Sequence, residues 1–375
     1  MGMTIRERMM AVFRNQSPDR IPVSIYARYL PRGHAERQAR ELGVGILDYH
    51  PLTTLLAPPW HVYPGFLPEV RGADFKIRFA WQDGQRIEER SYETPVGTVT
   101  QRLRQDPTYG SDWTKKFYIA SREDYRIMQY LVENTVIQSN EGAFLAKRED
   151  MGDDGVILGR VDRCPFQKLL IELAGPERFL VDLATDPEPV LELLNAMEKK
   201  MDEVFELVCE SSATVIWQPD NISGDMTPPK YFERFCLPYY IKHGEQLHDR
   251  GKVYVVHMDG RLRAIREQVA RTPIDCIESY SFPEIGGDLP FAQARAAWPD
   301  KVITPNFPSS LATQSREHIV SFIKGFLQEI RPYKTLMLQV SEDLPPGTWS
   351  HVLSILCECV QCSTSAQMRP SSEVR

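Results

Sequence analysis

The sequence predicts an α/β fold, a (β/α)8 barrel with a β-rich insertion in its N-terminal third. Short runs rich in β-branched residues alternate with helical segments, which is typical of parallel strands joined by right-handed crossovers. Seven strands are predicted, at 21–27, 156–161, 214–219, 253–258, 275–279, 302–306 and 336–341. An eighth strand, expected between residues 45 and 110, would close the barrel. The alternative is an open doubly wound sheet, although no glycine-rich phosphate fingerprint follows any strand.

The N-terminal third contains the elements that differ from the regular alternation. An amphipathic helix is predicted over Thr4–Asn15, where apolar residues recur on one face, and the first strand follows it. Residues 71–104 read as several strands with Asp83 and Gly84 between two of them. Because Asp-Gly between two strand-like runs favours a tight hairpin, we expect an antiparallel insertion here.

The remainder of the chain alternates regularly between strands and helices. Helices are predicted at 166–173, 176–184, 189–211, 228–249, 262–270, 289–297, 315–329 and 349–362. We therefore expect one domain over residues 1–366 and a polar tail over residues 367–375.

Composition excludes several functional classes. The chain has 375 residues, 42% of them hydrophobic, and a formal net charge of −7. This apolar content argues against disorder, and the mild acidity argues against a nucleic-acid partner. No apolar run approaches the ~18 residues of a membrane span, and the N-terminus carries charges where a signal peptide is apolar. Seven cysteines, an odd number, are typical of reduced thiols, so a cytoplasmic location is expected.

Polar residues follow most of the predicted strands. In a (β/α)8 barrel the carboxyl ends of the strands carry the chemistry, so these side chains are expected to share one pocket. They are Arg28, Asp162, Arg163, Asp220, Asn221, His257, Asp259, Glu278, Asn306, Ser341, Glu342 and Asp343.

A histidine and several carboxylates on one rim suggest a metal site. Imidazole and carboxylate groups suit Zn²⁺, Mn²⁺ or Fe²⁺, and His257 and Asp259 are spaced to point to the same face. The alternative interpretation is structural, with Asp220 as a helix cap and Asp259 and Gly260 as a turn. A second cluster, Cys357, Cys359 and Cys362, is interpreted as packing, because Cys357 does not share a helical face with the other two.

Several segments occur in the order found in a known family. They are RERMMAVFRNQSPDRIPV near the N-terminus, ARYLPRG at 27–33, YETPVGTV at 92–99, DNISGDMTPPKYFERFCLPYY at 220–240, VVHMDG at 255–260 and VSEDLPP at 340–346. In these segments the chain resembles the uroporphyrinogen decarboxylase superfamily, and several of them resemble its methyltransferase-like branch. The resemblance covers nearly the whole chain and implies the same (β/α)8 barrel.

The resemblance also identifies where this chain departs from the family. Decarboxylases carry two arginines around the Arg-Tyr-Leu-Pro segment, and here Arg28 is kept while Ser24 stands at the other position. Their C-terminal histidine motif is replaced by the segment containing Glu342, which argues against porphyrinogen decarboxylation. The methylcobamide:coenzyme M methyltransferases hold zinc with His-x-Cys and a later cysteine. The corresponding positions here are His257, Asp259 and Glu342, so two thiolates become carboxylates.

The resemblance, with these departures toward a harder metal site, implies a metal-dependent methyltransferase that moves a methyl group from a methoxylated or methylated small molecule to a corrinoid. The expected metal ligands are His257, Asp259 and Glu342, and zinc is the metal that the resemblance favours. Asp220 and Glu278 are expected to be catalytic, as a proton donor or a fourth ligand. Residues expected to bind substrate are Arg28, Asn221 and Asn306. The corrinoid is expected on a separate protein, and a homodimer is one expected assembly.

Two other functions stay open from the sequence. The first is a lyase or decarboxylase that acts on a small carboxylated substrate at the same metal. The second is a non-catalytic barrel whose polar residues at the rim are caps and turns. A mouth open to a docked corrinoid domain would favour methyl transfer, and a closed mouth would favour the lyase.

Overall fold

The structure, a computed structural model, describes residues 2–30, 32–61, 67–105, 112–331 and 335–367, with side chains described up to residue 361. Its contacts divide the chain into two compact units. The first unit comprises Met1–His50, Gly142–Arg160 and Ser212–Arg375, and the second comprises Pro51–Glu141 and Val161–Ser211. Nearly all of the predicted tail, residues 368–375, lies outside the described residues.

The described residues form twelve strands. They are β1 Val23–Tyr26, β2 Gly45–Pro51, β3 Asp74–Gln82, β4 Gln85–Thr94, β5 Gly97–Gln105, β6 Asp112–Lys116, β7 Gly155–Arg160, β8 Val215–Gln218, β9 Val253–His257, β10 Cys276–Ser281, β11 Val302–Asn306 and β12 Leu338–Val340. Eight of them close a barrel in the order β1-β12-β11-β10-β9-β8-β7-β2. The other four form an antiparallel sheet in the order β3-β4-β5-β6.

The helices alternate with the barrel strands. They are α1 Ile5–Phe13, α2 His34–Glu41, α3 Arg122–Glu133, α4 Glu141–Met151, α5 Pro165–Lys168, α6 Pro176–Thr185, α7 Pro187–Glu210, α8 Pro229–Tyr231, α9 Leu237–His248, α10 Arg266–Ala270, α11 Phe291–Ala297, α12 Arg316–Glu329 and α13 Trp349–Gln367. Two π-helical turns, Leu169–Leu173 and Phe232–Cys236, extend α5 and join α8 to α9. In the described part of the chain, no helix is both long and apolar enough to cross a membrane.

The predicted fold class is confirmed. The eighth strand, which the sequence placed only between residues 45 and 110, is β2. Its apolar run is short because Asp48 and His50 interrupt it, and this hides the strand from a search for continuous apolar segments. The predicted hairpin lies between β3 and β4, where Asp83 and Gly84 both adopt the positive φ that a tight turn requires. The sheet continues to β6, beyond the predicted end of the insertion.

The lower part of the barrel is filled by apolar side chains from alternate strand positions. One buried cluster contains Met9, Val12, Phe13, Tyr26, Leu47, Val156, Leu158, Val215, Trp217, Val255, Cys276, Val302 and Met337. Three of these residues come from α1, so this helix packs against the interior of the barrel. Most polar side chains of the same strands lie toward the carboxyl ends, where the candidate site lies.

Barrel closure depends on a close approach between β2 and β7. A Cβ atom on Gly155 would lie 1.9 Å from the carbonyl oxygen of Ile46, which is far inside van der Waals contact. Only glycine lets the two backbones approach this closely.

Replacing Gly155 with Ala should therefore destabilise the protein by about 1–3 kcal/mol or more, because neither backbone can move aside easily. The matched control is Gly142→Ala in α4, where an added Cβ meets nothing within 4 Å. That change should raise stability by about 0.5–1 kcal/mol, since alanine is the better helix former. Urea denaturation of both variants measures the difference, and similar midpoints would contradict the packing argument.

Candidate active site

The polar side chains at the carboxyl ends of the barrel strands form a polar layer. At its centre lies the carboxylate of Glu278, in β10. The side chain is fully buried. Oε2 accepts hydrogen bonds from His257 Nδ1 at 2.6 Å and from Trp217 Nε1 at 3.0 Å. Oε1 accepts from the Tyr26 hydroxyl at 2.6 Å and from Gln339 Nε2. Donors from four other strands, β1, β8, β9 and β12, therefore converge on one carboxylate.

Strand register explains how His257 and Glu278 meet. The two residues are direct neighbours in the parallel pairing of β9 and β10, so their side chains lie on the same face. The register of β10 against β11 shifts between Ile277 and Tyr280, and Ser279 has a positive φ of 63°. A bulge of this kind re-aims side chains next to it, and here it adjoins Glu278.

The second nitrogen of His257 faces Asp259. His257 Nε2 lies 3.3 Å from Asp259 Oδ2, and that oxygen also accepts a hydrogen bond from Asn221 Nδ2 at 2.8 Å. Asn221 has a positive φ of 49°, a conformation that asparagine tolerates better than most residues. The imidazole is thus held at both ends by carboxylates.

The charges around His257 shift the pKa values of four neighbouring groups. Burial opposes the charged imidazolium, but the carboxylates of Glu278 and Asp259 outweigh it and raise the pKa of His257 to about 10. Burial alone would raise the pKa of each carboxyl, yet the His257 charge lowers the pKa of both Asp259 and Glu278. For Glu342, burial and the nearby charge of Asp259 raise the pKa.

These contacts fit a histidine that ligates a metal through Nε2. Metal-binding histidines usually donate their other nitrogen to a carboxylate or carbonyl, as His257 does to Glu278. Two ligands of a tetrahedral zinc, with bonds of about 2.0–2.1 Å, lie about 3.3 Å apart, the spacing of His257 Nε2 and Asp259 Oδ2. Among the described residues, however, no group of three or more His, Cys, Asp and Glu side chains is arranged to hold a metal ion. Glu342 accepts instead from Ser309 Oγ at 3.3 Å. The set of three ligands stays a prediction.

The two residues expected to be catalytic have different surroundings. Both oxygens of Glu278 are occupied by donors, and this favours a role in positioning His257 over the expected roles of proton donor or fourth ligand. Asp220 is also fully buried and accepts from Gln218 Nε2 at 2.7 Å and from the Tyr240 hydroxyl. Its catalytic role stays a prediction.

The three residues expected to bind substrate also differ in environment. Arg28 is exposed, and its guanidinium lies 4.8 Å from the centre of the Tyr29 ring. Asn221 is engaged with Asp259. Asn306 is fully buried, and its Oδ1 accepts from the Ser341 amide at 3.0 Å. Its Nδ2 has no hydrogen-bond partner in the described part of the chain. The orphaned Nδ2 makes Asn306 the member of this set with a free donor.

Asp162 and Arg163, and the cysteine cluster of the C-terminal helix, have surroundings that indicate a structural role. Asp162 is bound by the fully buried ammonium of Lys168 at 2.9 Å, and Arg163 pairs with Glu172 at 2.7 Å. Burial raises the pKa of Cys357 to about 12, which makes it a poor thiolate ligand. The side chain of Cys362 lies outside the described residues.

Three further residues of the site were not predicted from the sequence. Tyr26, Trp217 and Gln339 contact Glu278, but each lies inside a predicted strand, before the polar residues that follow it. The usable signal was the period-2 alternation, because every second residue of a barrel strand faces the interior. A polar or aromatic residue at an inward-facing strand position is therefore a candidate partner for a functional side chain at the carboxyl end of the barrel.

The fold and this site together define a (β/α)8 barrel with a polar, partly charged mouth, the usual location of an active site in this architecture. A family model described as uroporphyrinogen decarboxylase (URO-D) matches residues 156–362. Because the match covers more than half of the chain, the protein belongs to this family, as the sequence motifs suggested.

Solved structures give the same architecture. A methyltransferase from Methanosarcina mazei superposes with a TM-score of 0.54 at 15% identity, covering 96% of this chain and 99% of that one. A putative vitamin-B12-independent methionine synthase from Listeria monocytogenes gives a TM-score of 0.37 at 14% identity, over 61% and 69% of the two chains. The first similarity supports the fold, and the second is too weak to support a conclusion. No curated protein matches the sequence.

The ion contacts of His257 predict a pH dependence of stability. Folding raises the pKa of His257 from 6.5 to about 10. The contribution of its ion contacts to the free energy of unfolding is therefore complete below pH 6.5 and is lost as the pH rises toward 10. Folding lowers the pKa values of Asp259 and Glu278, so the same contribution is also lost in acid, as the pH falls below their ordinary values of 3.8 and 4.5 and the carboxylates become protonated. In protein treated with a chelator, the stability difference between wild type and His257→Gln should peak near pH 5–6.

Denaturation with urea at several pH values measures that difference. The control is His248→Gln, which removes an exposed histidine paired with Asp275 at 2.9 Å and should cost about 0–1 kcal/mol. A difference for His257→Gln that stays constant from pH 5.5 to pH 10 would show that its ion contacts do not stabilise the fold.

Proposed function

We propose that this protein is a metal-dependent methyltransferase that takes a methyl group from a methoxylated small molecule and passes it to a corrinoid on a partner protein. The observation that carries the proposal is the anchoring of His257, with Nδ1 on the buried Glu278 carboxylate and Nε2 beside Asp259. Family membership and the barrel shared with a methyltransferase support it.

The proposed metal ligands are His257, Asp259 and Glu342. Asp259 already has the spacing of a second ligand, and Glu342 is close enough for the Asp259 charge to raise its pKa. Two carboxylates and one imidazole form a harder ligand set than the thiolates of the related methyltransferases. A metal bound there supplies Lewis-acid stabilisation to an oxygen that gains negative charge, and zinc is the proposed ion.

The residues around this set have roles in the transfer. In the transfer the methyl–oxygen bond would break, the corrinoid would accept the methyl group, and the oxygen would keep the bonding pair and take up a proton. Asp220 is the proposed source of that proton, and Asn306 orients the substrate through its free Nδ2. Glu278 acts through His257, whose ring it holds in one tautomer and one orientation. Asn221 orients the Asp259 carboxylate through its hydrogen bond to Oδ2.

The ligand set predicts graded effects on metal content. Glu342→Gln keeps the size of the side chain but removes its charge, so metal affinity should fall while the fold survives. Asp259→Cys should retain zinc and favour it over harder ions, since a thiolate is the softer ligand. Glu278→Gln, which removes the positioning charge, should weaken metal binding by about 10- to 100-fold.

Elemental analysis and thermal midpoints, with and without a chelator, measure these effects. The control is Glu88→Gln, which alters a carboxylate buried in the other compact unit, where it pairs with Arg90. Full metal content in Glu342→Gln would exclude Glu342 as a ligand. Unchanged content in all three variants would overturn the metal site.

Methyl transfer itself predicts a spectral change. Mixing the zinc-loaded protein with free cob(I)alamin and methoxylated benzoates should convert the cobalt(I) spectrum to that of methylcobalamin, with release of the demethylated phenol. His257→Ala should abolish the conversion, because the ligand set loses its anchored member. Conversion at the same rate in His257→Ala, or none with any donor tested, contradicts the proposal.

Decarboxylation is a second candidate function, favoured by the description of the matching family model. It predicts carbon dioxide release from a carboxylated substrate with no requirement for cobalt. Measuring carbon dioxide and the phenol in the same reaction mixtures separates the two functions.

A further inference from the structure

Arg160 is a buried cation for which the residues that the structure describes supply no counter-ion. It is the last residue of β7 and is only 7% exposed. Among the described residues, its Nε has no hydrogen-bond partner and its guanidinium pairs with no carboxylate. Burying a charge without a partner costs free energy, and an anion bound beside Arg160 would offset that cost.

Aromatic rings connect Arg160 to the candidate metal ligands. The Arg160 guanidinium carbon lies 5.4 Å from the centre of the Tyr49 ring. Tyr49 stacks on Trp217 at 4.6 Å, and Trp217 is 5.9 Å from the His257 ring in an edge-on contact. Arg160 and Trp217 are also paired residues in the register of β7 and β8. Arg160 therefore lies on the same rim as His257, three side-chain contacts away.

We infer that Arg160 binds the carboxylate of the substrate, and that the substrate is an aromatic monocarboxylic acid. This assignment deepens the proposed function, on which it rests only for the methyl group at the other end of the molecule. A guanidinium binds a carboxylate through two parallel hydrogen bonds, which fixes orientation as well as affinity. One unpaired positive charge matches one negative charge, and this favours a carboxylate over a phosphate dianion.

The lining of the rim favours a planar body. Tyr26 lies 6.1 Å from Tyr29, 6.2 Å from Tyr49 and 6.4 Å from Trp217 between ring centres, so the four rings form a continuous wall. Such walls bind planar unsaturated molecules through face and edge contacts. Arg28 lies at the same rim, but it is exposed and interacts with the charge of Asp343, so it does not replace the buried cation.

The test is a calorimetric titration of the full-length protein with 4-methoxybenzoate, in the presence of a chelator and without any corrinoid. Comparison ligands are methoxybenzene, which lacks the carboxylate, cyclohexanecarboxylate, which lacks the planar ring, and inorganic phosphate as a competitor. The variants are Arg160→Met and Arg160→Lys. The control is Arg148→Met, which removes an arginine 5.8 Å from the ring of Phe144, a contact similar to that of Arg160 with Tyr49.

Arg160→Met should weaken 4-methoxybenzoate binding by about 10- to 100-fold, and Arg160→Lys should restore part of it. The thermal midpoint of Arg160→Met should equal or exceed that of wild type, because a buried unpaired charge has been removed. Arg148→Met should bind like wild type. Methoxybenzene and cyclohexanecarboxylate should bind more weakly, and phosphate should not compete.

Three results would overturn the assignment. The first is undiminished binding in Arg160→Met, above all with a lower thermal midpoint, since Arg160 would then be structural. The second is equal affinity for methoxybenzene, or effective competition by phosphate. The third is no binding of benzoates by wild type. Because binding needs neither metal nor corrinoid, Arg160-dependent binding without methyl transfer would refute only the proposed function, and transfer without that dependence would refute only this inference.

Discussion

The site depends on one buried negative charge, the carboxylate of Glu278. An ionised carboxyl group inside a protein is stable only when donors replace the water that it loses. Here the donors are side chains of Tyr26, Trp217, His257 and Gln339, each from a different strand. The requirement to satisfy this one group fixes the relative positions of four strands at the carboxyl end of the barrel.

The barrel interior therefore has two layers that are stabilised by different interactions. Apolar side chains fill the lower layer and supply the burial that stabilises the fold, while the upper layer consists of polar groups that bind one another. The positive φ angles of Asn221 and Ser279 occur in this upper layer. Backbone strain at these positions is tolerated because the apolar layer beneath holds the strands, and strain of this kind commonly accompanies function.

Some side chains of the polar layer lack a partner among the residues that the structure describes. They include the buried Nδ2 of Asn306, which has no acceptor there, and the buried Arg160, which has no counter-ion there. Glu278, by contrast, is fully satisfied within the protein. A satisfied carboxylate can position its neighbours, and an unsatisfied donor or cation at the same rim can bind a substrate. The proposed chemistry assigns the first role to Glu278 and the second to Asn306 and Arg160.

The sequence predicted the barrel, because alternation of β-branched runs with helices leaves few topologies and the family resemblance favoured the closed one over an open sheet. It also placed His257 and Asp259 together, because they are two residues apart at a strand end. It could not assign Glu278 its role, since the four donors around this carboxylate are distant in sequence and meet only when the barrel closes. It also could not identify Arg160, because an arginine at the end of a strand looks the same in the sequence whether it is solvated or buried without a partner. Burial and strand register are properties of the closed barrel, so only the tertiary structure decided which polar residues are satisfied and which remain available to a ligand.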